Sequence, residues 1–144
     1  MLTYNTQDIA LTKEYDKQEG NPVLNYLRDS DADIICLQEF NPSAKVKQKE
    51  IDRALACYPY HVRVKGEGPG RLACYSRYPI LSAETIDYKT ESNASILYRL
   101  KFGNDTLVLI NNHLESNKLD AHDKTVYNAV SYTHLRAHET LSDL

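Results

Sequence analysis

The chain has 144 residues, 42% of them hydrophobic, and a formal net charge of −3. That size suits one domain with a real core, and the mild charge excludes a basic coat for non-specific nucleic-acid binding, though not a locally basic substrate groove. Cys36, Cys57 and Cys74 are widely spaced with no C-x-x-C pair, so Cys36 and Cys74, inside strand-like runs, read as small core residues compatible with a reducing compartment.

In chain order, Met1–Asn5 reads as a strand already under way, as if Met1 were an internal residue of a longer protein, and Thr6–Glu19 as a polar loop. Asn21 followed by Pro22 marks a helix start, with Val23, Leu24 and Leu27 on one face and an end near Asp29–Asp31. Ala32–Phe40 carries the unbroken apolar block Ile34-Ile35-Cys36-Leu37, the pattern of a strand buried on both faces, and closes on Glu39. Asn41-Pro42-Ser43 then breaks the strand and is placed to cap a helix over Ala44–Ala56, whose Lys45, Lys47 and Lys49 read as a solvated face. Tyr58–Val64 reads as a strand, and Lys65–Gly70 as a glycine-rich turn without the Gly-Lys-Ser/Thr of a phosphate loop. Arg71–Tyr75 and Ile80–Tyr88 read as strands, and Ser95–Phe102 with Thr106–Asn112 as a hairpin turning on Gly103-Asn104-Asp105. Leu107-Val108-Leu109-Ile110 looks like another buried strand, and Leu119–Val130 like the start of a helix. Helices and strands alternate, so the expected class is α/β. No stretch is long and apolar enough to cross a membrane and no signal peptide precedes the first strand, which makes the cytoplasm the default location.

Three strand ends thus present Asn5, Glu39 and His113, expected together at the mouth of one sheet. A carboxylate there can hold a hard divalent cation, an amide can fix a phosphate oxygen or a water, and an imidazole can donate to charge building on a phosphoryl group. Taken singly, an acidic residue closing a strand is an ordinary surface residue, and a histidine after an apolar strand is an ordinary structural one.

Tyr4-Asn5-Thr6-Gln7, Leu37-Gln38-Glu39, Ser76-Arg77-Tyr78-Pro79-Ile80 and Asn112-His113-Leu114-Glu115-Ser116 resemble, in that order, successive signatures of the endonuclease/exonuclease/phosphatase superfamily. This deoxyribonuclease I-like group includes nucleases, inositol polyphosphate 5-phosphatases, neutral sphingomyelinases and tyrosyl-DNA phosphodiesterases. The resemblance runs from Met1 to about Asn128 and implies a four-layered α/β sandwich of two packed mixed sheets, of which this chain is a part. It implies hydrolysis of phosphodiesters or phosphomonoesters with Mg²⁺, or Mn²⁺ in its place, as cofactor. Glu39 is then the metal ligand, Asn5 lies beside metal and scissile phosphate, and His113 contacts the phosphate, with Gln7 and Asn112 as secondary candidates. The implied partner is a phosphate-ester substrate (DNA, an inositol phosphate or a phospholipid head group), and no stable protein partner is inferred. Gln7 stands where exonuclease III-like repair enzymes carry Asp, and those enzymes place Tyr in the role of His113, which points away from an abasic-site nuclease.

The family's later Gly-Asp-x-Asn motif and terminal Asp-His pair do not occur in the 144 residues. These groups orient the attacking water and complete the acid/base machinery, so the expectation is an N-terminal half-domain over 1–129, inactive as it stands. Val130–Thr140, VSYTHLRAHET, resembles one reading frame of a transposon-end sequencing adaptor, which makes 130–144 an expected non-native tail rather than a His134/His138 metal pair. Two other readings stay open, a binding module that kept the fold without the chemistry and a truncated product left unstable by an uncovered apolar face.

Overall fold

The computed structural model describes residues 1–10, 15–16, 18–42, 46–63, 71–88 and 93–114. The expected turn at Lys65–Gly70, the helix from Leu119, the boundary at 129/130 and the adaptor-like tail all lie outside them.

Among the described residues seven strands form two sheets. The first contains β1 (Leu2–Asn5), β2 (Ile34–Gln38), β3 (Tyr60–Arg63) and β4 (Ala73–Ser76) in the order β1-β2-β4-β3. It is mixed, since β1 and β2 run parallel while β4 pairs antiparallel with both β2 and β3. The second contains β5 (Ile80–Ile86), β6 (Ala94–Phe102) and β7 (Asp105–His113) in chain order, and these are antiparallel. With two helices on the first sheet, α1 (Pro22–Asp29) and α2 (Gln48–Ala54), this is an α/β layered sandwich.

Strand β2 sits at the centre and all five of its residues are buried. Because side chains alternate, Ile35 and Leu37 enter the helix-side core with Val23, Leu24, Leu27 and Ile51, while Ile34 and Cys36 enter the core between the sheets with Cys74, Ile96, Tyr98 and Leu100. Helix α1 begins as its sequence demands. The Asn21 side chain accepts from the N–H groups of Val23 and Leu24 and donates to the Ile9 carbonyl at 3.0 Å.

Four details differ from the sequence reading. Within the expected loop, Gln7–Ala10 makes a single turn with left-handed backbone at Gln7, Asp8 and Ile9 (φ 48, 54 and 58°), which drops Ile9 fully into the core. Helix α2 starts at Gln48, not Ala44, and its N-cap Lys47 supplies no side-chain cap. The chain after Glu39 first buries Phe40 and Val46, and so is committed to the core before it can begin to coil. In the hairpin Phe102 pairs with Asp105, leaving Gly103-Asn104 as a two-residue turn. Gly103 takes φ +61°, the positive angle such mirror-image turns require. Finally, β7 is not a buried strand. Among the described residues it lies at the sheet edge, and Val108 and Ile110, on its outer face, are 56% and 48% exposed.

Candidate metal and phosphate site

Parallel pairing of β1 with β2 aligns Asn5 with Gln38, so the C-terminal ends of both strands open at one rim. Glu39 follows immediately. Its φ of 49° lies in the left-handed region, an uncommon setting for a non-glycine residue that the surroundings must hold. They hold it through its carbonyl, which accepts from the Thr6 hydroxyl at 2.7 Å and from the Asp8 N–H at 3.0 Å. Thr6 is itself buried, and its own N–H donates to the Gln38 carbonyl at 2.9 Å.

The third strand end arrives from the other sheet, not from the single sheet expected of the three strand ends, because β7 pairs with β6 and not with β1 or β2. Asn111, 2% exposed, reaches across the interface, its amide donating to the carbonyls of Leu37 (3.0 Å) and Ala73 (3.2 Å). Its carbonyl oxygen accepts from the Gln38 side chain at 2.6 Å, and Gln38 also donates to the Thr3 hydroxyl. One strand period later, on the same face, His113 Nε2 stands 3.1 Å from Glu39 Oε1. Asn5 Nδ2 donates to that same oxygen at 2.9 Å.

Asn5, Glu39 and His113, remote in sequence, therefore converge on one carboxylate oxygen. Gln7 joins them through its backbone, whose N–H donates to Asn5 Oδ1 at 3.0 Å. Asn112 does not join. Strand alternation turns it to the opposite face, where its side-chain oxygen accepts from the Ser95 hydroxyl, itself bonded to Tyr88. Sequence reasoning missed Asn111, Thr6 and Gln38. The available signal was the two-residue spacing from Asn111 to His113, which puts both on one face of a strand.

The Asn5 hydrogen bond holds the Glu39 carboxyl below the usual carboxylate range, with partial burial opposing it and His113 adding to it. Glu39 is thus ionised at neutral pH and can only accept, so His113 Nε2 must carry the proton between them. Among the described residues no group of three or more His, Cys, Asp and Glu side chains could hold an ion. The donor set nonetheless fits Mg²⁺, which takes one or two carboxylates and completes its octahedron with water and substrate oxygens. Both protein contacts fall on Oε1 of Glu39, and Oε2 takes neither.

A model of the endonuclease/exonuclease/phosphatase family matches residues 2–140. The chain belongs to this family. Among solved structures it is similar to humanized D. rerio TDP2 (TM-score 0.63, 18% identity, covering 94% of this chain and 55% of that one). It is also similar to D. rerio TDP2 complexed with single strand DNA product (TM-score 0.61, 18% identity, 94% and 54% covered). A truncated C. elegans TDP2 is a further match (TM-score 0.55, 15% identity, 83% and 48% covered). At these identities the likeness establishes the deoxyribonuclease I-like fold, and the chain spans about half the length of these structures. No curated protein sequence matches it. No helix among the described residues is long and apolar enough to cross a membrane.

Proposed function

We propose that this chain carries the metal- and phosphate-binding part of a divalent-metal-dependent phosphodiesterase acting on DNA. The observation that carries the reading is the convergence of Asn5 and His113 on ionised Glu39 at the shared strand rim. Support for nucleic acid, over inositol phosphates or phospholipid head groups, comes from the D. rerio TDP2 neighbour, which is complexed with single strand DNA product.

In this reading Glu39 holds Mg²⁺, or Mn²⁺ in its place. When bound, the ion neutralises the phosphate and polarises it. Asn5 orients the carboxylate by its amide N–H, and Gln7 in turn orients Asn5 through the backbone. His113 keeps a proton at Nε2, from where it donates to a phosphoryl oxygen once substrate competes for it with Glu39. No residue in the motifs present activates water, so the 144-residue chain alone should not raise hydrolysis of a model phosphodiester above the rate with Mg²⁺ in buffer. Turnover abolished by Glu39→Ala would overturn that.

The site itself is tested without turnover. Mn²⁺ titrated into the chain should broaden the amide signals of Asn5, Glu39 and His113 ahead of all others, and Glu39→Gln should remove the effect. Broadening centred elsewhere, or unchanged in the variant, rejects the assignment.

A further inference from the structure

Cys36 on β2 and Cys74 on β4 face one another directly across the antiparallel ladder. Both are free and buried in the core between the sheets, whereas Cys57 is exposed. The kind of pairing follows from the hydrogen bonds beside it. Arg77 N–H donates to the Asp33 carbonyl at 2.9 Å, so the 33/77 pair is of the hydrogen-bonded type. Strict alternation then makes 35/75 and 37/73 hydrogen-bonded pairs, and 34/76 and 36/74 the closer, non-hydrogen-bonded pairs. Residues opposite each other in such pairs stand about 4.5 Å apart at Cα. That falls inside the roughly 4.4–6.8 Å span that a disulfide bridges without moving the backbone.

We propose that Cys36 and Cys74 are a redox modification site, closing to a reversible cross-strand disulfide when hydrogen peroxide or a similarly small peroxide enters the core. The Cys36 sulfur attacks one peroxide oxygen, the O–O bond breaks, and the leaving hydroxide departs as water, which gives a sulfenic acid. The Cys74 sulfur then displaces that hydroxyl. The S–S bond forms as the S–O bond breaks, and the thiol proton leaves in the second water. One peroxide is reduced to two waters while two thiols lose two electrons.

The attacking order follows from the pair itself. A hydrogen bond from Cys74 lowers the Cys36 thiol, while its bond to Cys36 and its burial raise Cys74, so the thiolate forms at Cys36. The bridge lies one residue from Leu37 and Ala73, whose carbonyls both accept from Asn111. It would therefore lock the two strands on which the inter-sheet clamp rests.

The test is oxidation of the folded chain with a slight excess of hydrogen peroxide, alkylation, and peptide mapping, repeated in denaturant and with Cys57→Ser. The expected product in native buffer is a Cys36–Cys74 linked peptide with Cys57 alkylated, reversed by dithiothreitol and retained in Cys57→Ser. In denaturant the two pairings that include Cys57 close shorter loops and should prevail. The proposal is overturned if Cys36 and Cys74 are both recovered alkylated while Cys57 alone is oxidised. It is equally overturned if native buffer gives the same mixture of pairings as denaturant, which is also the result for a chain that does not hold β2 against β4.

Discussion

Strands β2 and β7 read almost alike, each an apolar run closing on polar residues, yet they end in opposite environments. Every residue of β2 is buried, while β7 is mostly exposed along its length and buries only Asn111. The difference is topological. β2 lies between β1 and β4 with a helix layer on one side and the second sheet on the other, so both of its faces are covered. Among the described residues β7 has one strand neighbour, and its outer face carries Val108 and Ile110 into solvent. Residue type thus decides that a segment becomes a strand, and its position in the sheet decides what burial is worth. The site joins one strand of each kind, with Glu39 anchored by the central strand and His113 delivered by the edge.

The comparison is broken most directly by truncation to alanine on each of the two strands. Ile35→Ala removes a fully buried side chain from the helix-side core and should cost about 2–5 kcal/mol in urea unfolding. Val108→Ala, 56% exposed, should change stability by less than about 0.5 kcal/mol. Comparable losses at the two positions would mean that the outer face of β7 is covered in solution.

A finer version uses two adjacent residues of β7. Asn111→Ala deletes three hydrogen bonds across the sheet interface and leaves a gap lined with polar groups, an expected loss of about 2–3 kcal/mol. Asn112→Ala loses one bond at an exposed position and should cost under about 1 kcal/mol. The NMR signals of the His113 ring should shift in the first variant and stay in place in the second, because Asn111, and not Asn112, bonds across to the strand that leads to Glu39.

Much of this was legible in the residues. The strand that ends at Glu39 and the Asn21 cap follow from local pattern, because strand ends are marked by the change from apolar to polar residues, and the meeting of Asn5, Glu39 and His113 follows from what the family resemblance implies for its motifs. What was illegible depends on partners distant in sequence. Nothing in Asn111-Asn112-His113 says which asparagine faces the other sheet until the β6–β7 register is known. Nor does the Leu107–Ile110 run reveal that it is an edge. The late start of α2 was hidden because Asn41-Pro42-Ser43 is a sound capping sequence locally, and what delays the helix is burial of Phe40 and Val46. The left-handed backbone at Glu39 was invisible for the same reason, since the groups that stabilise it belong to Thr6 and Asp8.

A further small effect concerns the contact where the two strands meet. Glu39 has a folded-state pKa below its ordinary value of 4.5, chiefly through the Asn5 hydrogen bond, opposed by burial and aided by His113. A depressed carboxyl binds its proton less readily when folded than when unfolded, so ionised Glu39 stabilises the fold. That stabilisation is complete above 4.5 and disappears as the pH falls through the lower folded value. Glu39→Gln keeps the shape but cannot ionise, so the stability gap between wild type and variant should be constant on the neutral side and narrow on acidification. Solvent reaches the site, and the gap should not exceed about 1 kcal/mol. If the gap widens instead as the pH drops, Glu39 is protonated more readily in the fold than out of it. A cation-binding carboxylate at the meeting point of β2 and β7 would then be the wrong description of the site.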